Sequence, residues 1–377
     1  MNATTSSGQI VISGMGMVTS LGYTADDSFA AARAGLSRAT ELPIHNFCGD
    51  EIWGNKPLVG QIVTALSVGH VGVGKILSLG NYALNNLFRN RTVSDSEWAK
   101  TAIFLNLSDA FLLDAYVSES ADWDNYGEQD LPSVVWRRQC KNVVTRLLSS
   151  FGRDSDVENQ HLYFGGHTGI AHALADAIQA LRSGESDLCI VGGIDSLIEL
   201  HLLEAAANVG LLKTQDFPIG FVPGEAAGFI LLERQTQAAY DDNDGQVISV
   251  GRPPSILKDE INRFSETPPN GSCLAQVIQK AITDCTDNVG LMIADLNGDI
   301  HRANDWGCAL VRLQGYDGIV DRPIWLTSTS FGEVGAATGI LSIGLASWGK
   351  NRGYSPDGST LIWLASDSGE KVAFTLH

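Results

Sequence analysis

Short apolar runs and longer amphipathic stretches alternate along this chain, and the alternation predicts its elements. Gln9-Ile10-Val11-Ile12-Ser13-Gly14-Met15-Gly16 is an apolar run closed by glycines, the signature of a buried strand. Thr24 to Leu36 predicts a helix, with Thr24 as N-cap before Asp26 and Asp27. The spacing of Ile76, Leu79, Leu84 and Leu87 predicts another over 75–89, and 102–107 predicts a strand. Val134–Phe151 predicts an amphipathic helix that carries Arg137, Arg138, Lys141 and Arg146 with no acid among them. Strands are predicted again at 160–165, 187–193 and 227–233, with helices between.

A second cycle is predicted from Gln246-Val247-Ile248-Ser249-Val250 onward. It holds a helix at 273–285, a strand at 290–295, a strand over Ile324–Thr329, a small-residue helix near 335–348, and strands at 360–366 and 371–376. Strands and helices in this order predict an α/β fold of layered sheets and helices. The two cycles echo each other. In the first, strand 161–165 meets the turn Gly165-Gly166-His167 and an Ala-rich helix ending at Leu181. In the second, strand 324–329 meets Gly332-Glu333-Val334-Gly335 and an Ala/Gly-rich helix ending near Trp348. Small residues suit helices whose backbones approach closely, so both helices are expected at the centre. The expected division is 1–240 and 241–377.

Composition narrows the function classes. Of the 377 residues 44% are hydrophobic and 18% charged, as expected of a well-packed globular chain. The formal net charge of −18 argues against nucleic acid or an anionic membrane as partner, since both favour a basic face. No basic and apolar leader precedes Ile10, and no run of 18 apolar residues occurs, so neither a signal peptide nor a membrane span is expected. Cys48, Cys140, Cys189, Cys273, Cys285 and Cys308 form no CxxC pair. A reduced, cytoplasmic setting without disulfides is expected, and Cys189 reads as a small buried hydrophobe. His167 and His172 fall on different faces of a helix, so no metal pair is expected there, and no cofactor is implied.

Four stretches resemble β-ketoacyl synthases of the thiolase fold. Val11 to Gly22 resembles the family's opening strand and loop, and Phe164 to Gly193 its nucleophile elbow, helix and following Gly-Gly strand. Gly220-Phe221-Val222-Pro223-Gly224-Glu225-Ala226-Ala227 resembles the family's Gly-Phe-Val-x-Gly-Glu-Gly-Ala segment. Ser330 to Gly339 resembles the helix start that reads Gly-His-x-x-Gly-Ala-Ala-Gly in the family. The resemblance implies two related halves in an α-β-α-β-α layering.

It also implies a lost active site. Counting back from Ala180-Leu181, the family's nucleophilic cysteine falls on His167, which cannot form an acyl thioester. The position of the first catalytic histidine holds Asn297, that of the second Glu333, and that of the lysine Ser328. The Gly-Phe-Gly-Gly loop aligns with Ala365-Ser366-Asp367-Ser368-Gly369. Groups that act as a unit lose most of their effect together, so condensation is not expected.

Three functions remain open at this point. A non-catalytic partner of an active ketosynthase, similar to a chain-length factor, predicts a homodimer or heterodimer built on strand 160–166. Its basic helix would meet an acyl carrier protein through Arg137, Arg138, Lys141 and Arg146. An accessory protein, for example of a secretion system, would use the fold as a binding surface. A divergent acyl-transfer or acid–base enzyme would use His167 and Glu333, which the resemblance places together at the heads of the central helices. Glu333 reads equally as a helix-stabilising carboxylate, with His167 plugging the pocket against it. Gly69-His70-Val71-Gly72-Val73-Gly74-Lys75 nearly spells a phosphate-binding loop, but Ile76 stands where the magnesium-ligating hydroxyl belongs, so a plain loop into a helix is expected. The sequons at Asn90 and Asn106 carry no weight without an export signal.

Overall fold

The computed structural model describes residues 8–42, 58–118, 127–153, 157–214, 217–235, 249–283, 288–316 and 318–377. The first half contributes β1 (Ile10–Val18), α1 (Ala25–Arg33), β2 (Thr40–Glu41), β3 (Val59–Gly60), α2 (Val73–Asn90), β4 (Thr101–Leu107) and α3 (Phe111–Ser118). It continues with α4 (Pro132–Cys140), α5 (Val143–Ser149), β5 (Gln160–Phe164), α6 (Gly169–Ser183), β6 (Leu188–Ser196), α7 (Leu200–Asn208) and β7 (Glu225–Arg234). The second half contributes β8 (Ser255–Lys258), α8 (Ser272–Thr283), β9 (Val289–Ala294), α9 (Ile300–Leu313), β10 (Ile324–Leu326), α10 (Thr338–Asn351), β11 (Ser359–Ala365) and β12 (Glu370–Leu376).

One topology is used twice. The first sheet runs β1-β7-β6-β4-β5 and the second β8-β12-β11-β9-β10. In each, the first three strands pair antiparallel and the last three parallel. The parallel strands are apolar on both faces, as burial on both sides demands. Every residue of β4 and β6 is buried, and β11 likewise.

Five layers result. Between the sheets, α6 and α10 share one core with Phe104, Val191 and Ile230 of the first sheet and Ile293, Ile362 and Phe374 of the second. Outside the first sheet, α2 and α5 bury Leu79, Ala83, Leu84, Val144 and Leu147. Outside the second, α8 and α9 bury Leu274, Ile278, Trp306 and Leu313. In α10 every residue from Thr338 to Gly349 is buried, which explains its lack of a polar face. Its backbone meets α6 so closely that a Cβ on Gly339 would lie 2.2 Å from Ile170.

Several predicted elements shift. The single basic helix is two, because the chain turns at Lys141 and Asn142. The turn lets Cys140 and the group Val143, Val144, Leu147 and Leu148 all face the core, which one straight helix of this sequence would not. The strand predicted to Thr329 stops at Leu326, and Ser328–Phe331 forms a helical turn that carries the chain toward the centre. Of the strand predicted at 246–250, residues 246–248 lie outside the described residues. Ser249 and Val250 form bridges to Val11 and Leu376. Cys189 is buried, and Cys48 and Cys285 lie outside the described residues.

Candidate functional site

The two small-residue helices bring the site together. Tight glycine turns precede both of them, with Gly166 at φ 52° and Gly332 at φ 73°, values that glycine adopts readily. The first turn places His167 two residues ahead of α6, and the second places Glu333 ahead of the Gly335–Ala337 turn that leads into α10. His167 Nε2 donates to Glu333 Oε1 at 2.8 Å. The same oxygen accepts from the backbone N–H of Gly335 at 2.9 Å, and the other accepts from the Asn297 amide. Three of the four predicted positions, His167, Asn297 and Glu333, therefore meet. Ser328 does not join them, since its hydroxyl donates to the Leu296 carbonyl.

The other side of the imidazole meets a charged lattice. His167 Nδ1 lies 3.2 Å from Asp295 Oδ2, at the end of β9. That oxygen also accepts from Arg302 on α9 at 2.7 Å and from the Ala365 N–H at 2.8 Å. Arg302 lies 3.2 Å from the same imidazole nitrogen, and its other terminal nitrogen is 3.3 Å from Asp367 in the β11–β12 turn. Asp367 in turn pairs with Arg263 at 2.9 Å, and Arg263 pairs with Asp299, the N-cap of α9. Three cations thus interlock with four carboxylates, nearly all of them buried.

Electrostatics assign the charges. Burial and the Arg302 guanidinium oppose protonation of His167, but Glu333 and Asp295 outweigh them and lift its pKa to about 9. Burial pushes Glu333 the other way, yet His167, Arg302 and the Asn297 amide hold it at about 2. Asp367 is held well below the usual carboxylate range, against burial, by Arg302 and Arg263. At neutral pH, His167 is an imidazolium between two carboxylates. Asp195 and Asp109 stand apart from the ion pairs, and burial raises both, Asp195 to about 7. Asp195 accepts from the Ala336 N–H at 2.9 Å, and Asp109 from the Phe111 N–H at 3.1 Å.

Little space is left. His167, Asn297, Arg302, Glu333, Asp109, Asp195 and their neighbours enclose a cavity of ≈ 70 Å³. That accommodates a few waters, whereas small-molecule sites run from about 300 to 1,000 Å³. Asp295, Arg302, Arg263 and Asp367 were not singled out from the sequence. Arg302 follows Asn297 by five residues and Asp367 lies in the loop aligned at 365–369, but no local pattern in the sequence pairs them.

The remaining candidates lie elsewhere. His172 is half-exposed and bonds Glu370 at 3.1 Å in a surface cleft of ≈ 530 Å³ beside β5. Arg137, Arg138, Lys141 and Arg146 are all exposed on α4 and α5, with Arg137 over the Phe164 ring at 5.5 Å. Lys75 of the phosphate-loop-like stretch points inward, donating to the Ile198 carbonyl at 2.6 Å and lying 3.2 Å from Glu199. Among the described residues, no cluster of His, Cys, Asp and Glu is arranged to hold a metal, and no helix is long and apolar enough to cross a membrane.

Comparison with known proteins agrees with this architecture. Residues 168–238 match the family described as Beta-ketoacyl synthase, N-terminal domain. Polyketide synthase GfsE of Streptomyces halstedii is 30% identical over 181 residues, which cover 44% of this chain and 5% of that protein. The pikromycin polyketide synthase component PikAIII of Streptomyces venezuelae is 27% identical over 183 residues, 45% of this chain and 12% of that protein. The matched region thus spans a small fraction of these relatives' length. Among solved structures, a type II polyketide synthase acyl-carrier protein in complex with its ketosynthase (AntDE:AntF) superposes with TM-score 0.72 at 14% identity, over 98% of this chain and 99% of that one. The ishigamide ketosynthase/chain length factor superposes with TM-score 0.70 at 16% identity, over 98% of both chains. The fold is that of the ketosynthases, and within it residues 168–238 match the β-ketoacyl synthase N-terminal domain.

Proposed function

We propose that the chain is a non-condensing ketosynthase-fold subunit that works beside an active ketosynthase. The ion-paired His167 supports this reading most directly. It stands where the family resemblance puts the thiol, it is held between two carboxylates, and the cavity beside it is only ≈ 70 Å³. An acid–base enzyme is disfavoured by the same pair. A base with a pKa of about 9 is already protonated at neutral pH, and a carboxylate at about 2 accepts protons poorly.

The partner face is proposed at β5. This strand lies at the end of the first sheet, its residues are only half-buried, and an open edge invites pairing with another chain. Beside it, α3 presents Phe111, Leu112, Leu113 and Val117, none of them fully buried. We propose the division into halves 1–240 and 241–377, supported by one five-stranded sheet in each, with both halves acting as one unit. A carrier protein, acidic by nature of the proposal, would meet the exposed Arg137, Arg138, Lys141 and Arg146.

Co-expression with an intact ketosynthase and its carrier protein tests the reading. A stable heterodimer is expected, with a synthase that extends chains only in company. A self-contained homodimer that ignores both, or decarboxylation of a malonyl carrier by this chain alone, would overturn it.

A further inference from the structure

A second cavity lies away from the central lattice, between α1 and the free edge of the second sheet. It encloses ≈ 280 Å³ and is lined by Ala32, Ile324, Trp325, Phe331 and Leu345 together with Arg33, Thr327 and Ser330. We propose that this cleft is a binding site for a small monocarboxylate with a flat apolar body.

Three observations carry the assignment. The first is the cation. Arg33 lies 5.3 Å from the centre of the Trp325 ring and 5.7 Å from that of Tyr354. These cation–π contacts hold the guanidinium at the cleft wall, and its N–H groups can meet a carboxylate in two-point contact. Arg33 is exposed and pairs with no carboxylate among the described residues, although the chain is acidic overall.

The second is the floor. Trp325, Phe331 and Leu345 present aromatic and aliphatic surface, so an ion alone would leave most of the cleft unused. Thr327 and Ser330 supply the third. Both are buried, at 1% and 6% exposure, both line the cleft, and neither hydroxyl has a hydrogen-bond partner among the described residues. Both hydroxyls are open to the cleft, where they can meet a polar group on the ligand or water bound with it. The volume sits just under the usual range for ligand sites, about 300–1,000 Å³, which limits the ligand to a bicyclic ring or a short chain.

Titration calorimetry with 2-naphthoate and its neutral counterpart 2-naphthamide tests the proposal on the intact protein. The acid is expected to bind at least about tenfold more tightly than the amide, since only the acid forms a charge-assisted contact with Arg33. Arg33→Gln should abolish that preference while leaving the melting temperature unchanged, and Trp325→Ala should weaken both ligands. Absence of binding up to about 5 mM overturns the proposal. So does an acid preference that survives in Arg33→Gln, which would place the ligand on another basic surface such as α4 and α5.

Discussion

Replacing His167 with Asn removes the cation that directly contacts both Glu333 and Asp295, and the cost should depend on pH in a calculable way. The imidazolium is stabilised on folding from a model value of 6.5 to about 9. At ~1.4 kcal/mol per unit, that shift corresponds to about 3 kcal/mol. Glu333 shifts by a similar amount, from 4.5 to about 2, but this is the same interaction seen from its partner and is not added. The figure agrees with the ~3–5 kcal/mol typical of breaking a buried ion pair from one side. The sign follows from the raised value. His167 contributes its full stabilisation below pH 6.5 and loses it as pH rises through about 9. Wild type and His167→Asn should therefore differ by about 3 kcal/mol near pH 6 and by little near pH 10. Urea titrations read this as a gap between midpoints of roughly 1 M that closes with rising pH. Titrating groups outside the His167, Glu333 and Asp295 cluster affect both proteins alike and drop out of the difference. A gap that stays constant between pH 6 and 10 would refute the charge assignment, and His167 would then be a neutral packing residue.

Three further outcomes are expected. Gly169→Ala places a Cβ 1.9 Å from Asn106 Oδ1, and Asn106 is held by the Gly166 and Ala336 carbonyls. A loss of about 1–3 kcal/mol or more should appear as a lower melting temperature, and an unchanged one would contradict the packing described. Asp109 is raised by burial, so ionising it costs the folded state; that penalty is absent below its unfolded pKa of 3.8 and grows as pH rises. Asp109→Asn should therefore gain on wild type in thermal melts as pH rises from 3.8, levelling off once the folded carboxyl has ionised, and a difference flat from pH 3 upward would count against it. His167→Cys restores a thiol beside Glu333 and Asp295, where neighbouring carboxylates disfavour a thiolate. No release of carbon dioxide from a malonyl carrier is expected above background, and measurable release would show a more competent site than the geometry allows.

The fold was legible because burial writes itself into residue type. The all-apolar β4 and β6 and the Ala/Gly helices α6 and α10 announce a layered centre, and the repeated glycine turns announce the internal echo. Element ends were less legible where tertiary packing overrides local pattern. The basic helix bends at Asn142 because two apolar faces must reach one core, and β10 ends early because the chain must turn to deliver Glu333. At the site, His167, Asn297 and Glu333 were readable as substitutions, since each occupies a position with a familiar motif around it. Asp295, Arg263 and Arg302 were not, because no periodicity reports that residues 128 apart, such as His167 and Asp295, share a hydrogen bond. Ser328 shows the opposite limit. Its position was readable, but its hydroxyl is spent on the Leu296 carbonyl.

The charged centre is best understood as a joint between the two halves. His167 comes from the head of α6 in the first half. Asp295, Arg302, Glu333 and Asp367 come from β9, α9, the approach to α10 and the β11–β12 turn of the second. Each member is tolerable only in the company of the rest. A thiol at 167 would strand Glu333 as a buried carboxylate, and a histidine at 333 would leave His167 facing a second base instead of an anion. Arg302 bridges Asp295 and Asp367, so losing it would leave each buried carboxylate with one cation, His167 or Arg263, in place of two. Buried ion pairs add little net stability over apolar packing, but they strongly penalise any arrangement that separates their partners. A lattice of this kind therefore fixes the geometry between the halves rather than the total stability. That is the property a subunit needs if its surface, and not its centre, does the work.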